Sequence, residues 1–200
     1  MHAVIVVSHP EPGSLSHQLA REVGRGLREH GHDHELADLS AEGFEPRFSA
    51  ADLAVHRQQA TPPLDVLREQ ARLDRADALV LVYPVYWWSM PGLLKGWIDR
   101  VFANGWAFDY REQKLVKKLR HLRVHLLGLA GADDGTYDRH RYRDAMQVQL
   151  EHGIFDYCGA TVGHSLLLTD SESQPPAAHL ARARALGADL FTRLEVARSP

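Results

Sequence analysis

Three short stretches of this sequence combine residue types that could do chemistry rather than only pack. In the first, His9-Pro10-Glu11-Pro12-Gly13 leads into Ser14-Leu15-Ser16. A helix beginning there would present unpaired N–H groups and partial positive charge, which suit a phosphate. The hydroxyls of Ser14 and Ser16 and the imidazole of His9 would add donors. Plain N-capping by Ser14 explains a serine at that place equally well. The stretch is not a P-loop, since no Gly-Lys-Ser/Thr closes it. Nor is Gly24-Arg25-Gly26 the dinucleotide fingerprint, because Glu29 stands where the third glycine belongs. In the second stretch, Tyr86-Trp87-Trp88 stands between Pro84-Val85 and Pro91. Two consecutive indoles cannot both point inward from a tight turn, so one of them is expected at the surface, open to a flat partner. The third stretch, Ala130-Gly131-Ala132, is small enough for its backbone N–H groups to approach a ring edge. Tyr137, His140, Arg141 and Arg143 follow it, and for the two arginines a solvated helix face is the competing reading.

These residues need a frame, and hydropathy patterning supplies one. Ala3 to Val7 is a continuous apolar run, the mark of a strand covered on both faces. Leu15, Leu19, Val23 and Leu27 recur every four residues, a helix stopped by Gly31 after His30. His34 to Leu39 suits a second strand, and 41–62 reads as a long excursion without periodicity. Leu64, Leu67 and Ala71 mark a helix entered through Pro62-Pro63. Asp77 to Tyr83 is the clearest buried strand, followed by a helical face of Leu93, Leu94, Trp97, Ile98, Val101 and Phe102. Val124 to Ala130 makes a fourth strand, Met146, Leu150 and Ile154 a helix, Thr161 to Leu168 a fifth strand, and Leu180 to Leu194 a last helix. Strand and helix alternate five times, which predicts an α/β protein with a parallel sheet and helices on both faces, in one domain over 1–200. Such sheets bind ligands outside the carboxyl ends of their strands. Loops 8–16, 84–91 and 130–140 all leave strands at that edge. A phosphate seat, an exposed aromatic and a run of backbone donors beside cations suit one kind of molecule, a flavin. Its isoalloxazine is flat and gains negative charge at one edge on reduction.

Bulk properties exclude several classes. The 200 residues carry a formal charge of -3 with mixed signs, so neither a nucleic-acid surface nor the strongly acidic docking face of an electron carrier is expected. The single Cys158 permits no intramolecular disulfide and no cysteine metal cage, and is expected to be a packed thiol. His30, His32 and His34 alternate beside a helix end away from the three loops and read as solvated surface, so no metal site is expected. No Gly-x-Ser-x-Gly elbow marks a hydrolase. The start Met1-His2-Ala3 leads directly into the first strand and lacks the features of a signal peptide, and no apolar run reaches membrane-spanning length. A cytoplasmic location is the expectation.

The loops also carry a family resemblance. Residues 4–16, 69–77 and above all the block 83–110 resemble the two-electron NAD(P)H:quinone oxidoreductases of the DT-diaphorase type and their bacterial relatives. The resemblance implies a flavodoxin-like, doubly wound five-stranded parallel sheet in the order 2-1-3-4-5, with bound FAD or FMN and NAD(P)H as co-substrate. It further implies a quinone-like acceptor, a homodimer with the site at the subunit interface, and ping-pong hydride transfer. Carried over by position, His9, Ser14, Leu15 and Ser16 would hold the flavin phosphate, and Pro84, Val85, Tyr86, Trp87 and Trp88 would line the isoalloxazine. Ala130, Gly131 and Ala132 would cover its pyrimidine edge, Tyr137 would face the acceptor, and the excursion at 41–62 favours FAD. This sequence has Leu129-Ala130-Gly131-Ala132 where relatives often carry Thr-Thr-Gly-Gly, and Arg143 where they carry a substrate-side histidine. Arginine does not shuttle protons near neutrality, so His140 becomes the candidate in its place. Azo- or nitro-compound reduction, and an ancillary role in potassium efflux, are the alternatives the same resemblance allows.

Overall fold

The computed structural model describes residues 1–111 and 114–192. Its first strand, β1 (His2–Val7), is followed by α1 (Leu15–Glu29), β2 (Asp33–Asp38), α2 (Ala50–His56) and α3 (Leu64–Asp74). Then come β3 (Ala78–Pro84), α4 (Gly92–Val101), a hairpin of β4 (Phe108–Arg111) and β5 (Lys114–Lys117), and β6 (Arg123–Leu129). The chain closes with α5 (Asp134–Arg139), α6 (Tyr142–Met146), a π-helix (Gln147–Asp156), β7 (Thr161–Leu168) and α7 (Ala177–Asp189). Five parallel strands form the main sheet in the order β2-β1-β3-β6-β7. Because β4 and β5 form a separate two-stranded sheet, the parallel strands follow the expected 2-1-3-4-5 order. The order reverses between β1 and β3, which puts the switch point between the loops after those two strands.

Continuous apolar runs made the central strands legible, and all seven residues of β3 are buried. Successive side chains alternate between two cores. Val4, Val6, Leu79, Leu81 and Val124 pack with Leu73, Leu94, Trp97 and Val101 of α3 and α4 and with Leu150 and Phe155 of the π-helix. Ala3, Ile5, Val7, Val80 and Leu127 pack with Leu19, Val23 and Leu27 of α1 and Ala183 and Leu186 of α7. Helices α1 and α7 touch backbone to backbone. A Cβ on Gly187 would lie 2.1 Å from the Val23 carbonyl oxygen, so glycine is required there.

The structure corrects four expectations. The excursion at 41–62 contains α2, opened by a capping box in which Ser49 and Asp52 serve each other's backbone N–H groups. Arg100 of α4 fixes that helix through Asp52 (3.0 Å) and also holds Asp65 of α3 (2.6 Å). The β4–β5 hairpin was not foreseen. The helix expected from Met146, Leu150 and Ile154 begins as the end of α6 and is π-helical from Gln147, where its two buried residues, Leu150 and Phe155, are five apart rather than four. The last helix ends at Asp189 and begins at Ala177, and 193–194 of the expected span lie outside the described residues. Cys158 is a buried free thiol that burial pushes up to about 11, an inert packing residue. Among the described residues no helix is long and apolar enough to cross a membrane.

Candidate functional site

The loop after β1 enters α1 through Ser14, whose hydroxyl accepts the His17 N–H at 3.4 Å. His9 is half-buried, and its Nδ1 accepts the Glu11 N–H at 3.0 Å, which leaves the proton on Nε2 as a donor. Ser16, in the same first turn, has its Oγ buried with no hydrogen-bond partner among the described residues. An orphaned hydroxyl beside free helix N–H groups fits an anionic ligand and has no use in the protein alone.

After β3 the chain makes a four-residue turn, closed at both ends by bonds between the backbones of Tyr86 and Ser89 (3.0 and 3.1 Å). Its central residues are Trp87 and Trp88, with φ of 49° and 59°. Positive φ at both positions marks the mirror-image turn that Asn-Gly normally makes. Two indoles there are strained, and strain of this kind collects at functional sites. Trp87 is 92% exposed. Trp88 stacks face to face on Tyr142 at 3.8 Å and meets the edge of Tyr137 at 5.3 Å. The Ser89 hydroxyl donates to Gln149 Oε1 at 2.7 Å and ties the turn to the π-helix.

The loop after β6 is clamped by the one after β7. Asp170 and Ser171 donate their N–H groups to the carbonyls of Ala132 (3.2 Å) and Ala130 (3.0 Å). The Gly131 and Ala132 N–H groups make no hydrogen bond among the described residues, so they are free for a ligand. Glu172 crosses over Gly131, where a Cβ would meet its carboxylate oxygen at 3.0 Å. Val85, Trp87, Trp88, Gly131, Ala132, Tyr137 and Glu172 together line a cavity of about 310 Å³ at the sheet's rim, at the small end of the range for ligand sites.

Of the residues expected around a ring, Val85, Trp87, Trp88, Gly131 and Ala132 converge on this cavity, and Tyr137, expected to face the acceptor, joins them. Pro84 is instead the buried last residue of β3, Tyr86 is exposed, and neither borders the cavity. Ala130 is buried just behind it. Tyr137 is almost wholly buried, and burial raises its pKa, with Arg143 pulling the other way, so its hydroxyl keeps its proton near neutrality. Arg143 lies 5.7 Å from the centre of the Tyr137 ring. Its guanidinium pairs with Asp134 and, at 3.4 Å, with Asp138, and it borders a second cavity of about 220 Å³ beneath the π-helix. His140 is exposed at the end of α5, with its ring tilted over Tyr142 at 5.2 Å.

Three residues of the site escaped the sequence reading. His17 is buried and bridges Ser14 and Asp38, Tyr142 covers one face of Trp88, and Glu172 borders the cavity. Glu172 had a signal, since the loop after the fifth parallel strand leaves at the same edge as the other three.

A parallel sheet with a phosphate-type helix start and an aromatic, donor-lined slot at its switch point defines a flavodoxin-type site. The family model for the flavodoxin-like fold matches residues 1–188, and the chain belongs to that family. It is similar to ribosyldihydronicotinamide dehydrogenase [quinone] of Mus musculus, 31% identical over 80% of this chain and 77% of the relative. A ribosyldihydronicotinamide dehydrogenase-like protein of Penicillium crustosum is 36% identical over 81% of this chain and 70% of its own length. The solved NAD(P)H:quinone oxidoreductase of Methanothermobacter marburgensis superposes with a TM-score of 0.89 at 28% identity, covering 95% of this chain and 98% of that one. The chain is accordingly an oxidoreductase.

Proposed function

We propose that the chain is a flavin-dependent oxidoreductase that passes a hydride from NAD(P)H to a quinone-type acceptor by a ping-pong mechanism. The observation carrying this reading is the rim cavity, with Trp88 on one wall and the unused N–H groups of Gly131 and Ala132 on another. When bound, the flavin supplies the redox chemistry, storing a hydride between donor and acceptor.

The chain's own residues do the rest. His9 Nε2, the Ser16 hydroxyl and the first N–H groups of α1 would hold the phosphate. Val85 and Trp88 would bound the ring, and Gly131 and Ala132 would donate to its polar edge. Tyr137, a phenol whose pKa burial raises still further from its ordinary 10.0, is a hydrogen-bond donor at the cavity wall. Arg143 close to its ring places positive charge where an anionic product would form. His140, exposed and in contact with Tyr142, is the group able to exchange protons with water. The ordered excursion around α2 supports FAD over FMN, as the segment relatives use near an adenosine. Phe48, Leu53, Phe108 and Tyr157 border an apolar groove of about 480 Å³, which supports a homodimer.

An absorption spectrum of the purified protein, followed by mass measurement of the released cofactor, tests the reading. A flavin spectrum is expected, with parallel double-reciprocal plots when NADH or NADPH is varied against a benzoquinone. Failure of both FAD and FMN to bind would remove the proposal, whereas faster turnover of an azo dye than of quinones would change only the acceptor.

A further inference from the structure

We propose that His17 is a positioning residue of the phosphate site, and that binding of a phosphate at the start of α1 is coupled to uptake of a proton on its ring. The inference rests on the flavin reading above and adds to it a proton that the reading does not require.

His17 is buried in the first turn of α1. Its Nε2 lies 2.8 Å from Asp38 Oδ2, at the end of β2, and its Nδ1 lies 2.8 Å from Ser14 Oγ. The other Asp38 oxygen accepts the N–H groups of Ser40 and Ala41, both at 3.1 Å. A carboxylate held in this way can only accept, so the proton of a neutral ring sits on Nε2. Nδ1 is then a lone pair, and the Ser14 hydroxyl must donate to it. The same hydroxyl accepts the His17 N–H in capping the helix. With its proton turned inward, Ser14 presents only lone pairs to a phosphate oxygen. A proton added at Nδ1 reverses the direction. Nδ1–H donates to Ser14 Oγ, and the hydroxyl proton is freed for the ligand. One proton moves from solvent to Nδ1, and no other bond to hydrogen is broken. The anion gains a donor and a cation one hydrogen bond away, while Asp38 remains paired.

Independent support comes from Ser16, whose buried, unpartnered Oγ in the same turn calls for a ligand. The other ionisable groups around His17 do not perform this switch. His9, from the β1–α1 loop, stands edge-on at 6.3 Å and already has a donor at Nε2. Arg21, one turn along α1 and exposed, is a permanent cation. Asp38 is the acceptor described.

The test is calorimetric titration of the folded, flavin-free protein with FMN at about pH 8, where a phosphate monoester is already dianionic. Buffers of different ionisation enthalpy report the protons exchanged, and riboflavin serves as the ligand without a phosphate. Between about a half and one proton is expected to be taken up per FMN bound, and none with riboflavin. FMN affinity should rise by up to about tenfold for each unit of acidification in this range. His17→Gln should abolish both the uptake and the pH slope. Ser14→Ala should do the same with the imidazole still present, and serves if the first variant does not fold. FMN binding without proton uptake, or uptake that persists in His17→Gln, overturns the inference and leaves the flavin reading intact. Failure of FMN and FAD to bind at all removes both.

Discussion

Ser16 Oγ is the atom whose surroundings say most about a ligand. A buried hydroxyl without a partner destabilises a fold by about 1–3 kcal/mol, and the first turn of α1 contains one. Ser16→Ala should therefore raise the stability of the flavin-free protein by about 1 kcal/mol, or roughly 2–4 °C in Tm. It should also weaken FMN by about five- to tenfold, the loss of one hydrogen bond of about 1 kcal/mol, and leave riboflavin unchanged. Thermal melts and fluorescence titrations read both effects. A variant less stable than the parent, with FMN affinity intact, would show that the hydroxyl serves the fold. Sequence alone brought out Ser14 and Ser16, because helix starts have a local chemistry. It missed His17 because the imidazole acquires meaning only from Asp38, 21 residues away. Tyr142, the first residue of α6, was missed for the same reason, since its partner Trp88 lies in the distant turn after β3.

At the level of elements, local pattern was readable wherever one period covered a whole segment. The central strands β1, β3 and β6 announced themselves because both of their faces are covered, while β7, an edge strand in which only Leu168 is buried, still spans the expected Thr161–Leu168. Helix α2 was hidden because only Asp52 and Val55 of its seven residues are buried, too few to set a period. The π-helix misled because a four-residue repeat resembles an ordinary helix, while its buried pair is five apart. The turn at 86–89 lies between these cases. Its composition required an exposed indole, but the backbone it adopts could not be read from it. A non-glycine residue in the left-handed region is strained by about 1–2 kcal/mol, and asparagine tolerates it better. Trp87 is 92% exposed, so replacing it forfeits little packing. Trp87→Asn is accordingly expected to stabilise the flavin-free protein by about 1 kcal/mol while weakening flavin retention. Trp97→Ala, which leaves a cavity in the core and removes the donor to Glu69 Oε2, should instead destabilise the fold itself. If Trp87→Asn lowered Tm and left flavin binding untouched, the strain would have no functional counterpart.

For the molecule as a whole, acid sensitivity has an identifiable origin in the sheet. His125 is fully buried in β6, its Nδ1 accepts the His164 N–H at 3.1 Å, and its Nε2 has no partner among the described residues. Burial, reinforced by the neighbouring His164 and Arg123, pushes its pKa from the ordinary 6.5 down to about 3. Between those values the unfolded chain binds a proton that the folded chain refuses, so stability is complete above about pH 6.5 and declines as pH falls towards 3. The carboxylates held by Arg100 act later. Asp52 loses some affinity for its anionic form through burial, but the bonds from Ser49 and Arg100 outweigh this and lower its pKa, and Arg100 lowers that of Asp65. Their contribution is lost only in stronger acid, below the ordinary aspartate value of 3.8. The two regimes separate in His125→Leu. That variant leaves the His164 N–H without its acceptor and should be less stable at pH 7 by about 1–3 kcal/mol. Its stability, measured by urea unfolding from about pH 7 to pH 4, should nevertheless slope less than the parent's, because His125 no longer titrates while His34, whose pKa burial also lowers, still acts in this range. A slope equal to the parent's would place the proton elsewhere and show that His125 is not what makes this sheet sensitive to mild acid.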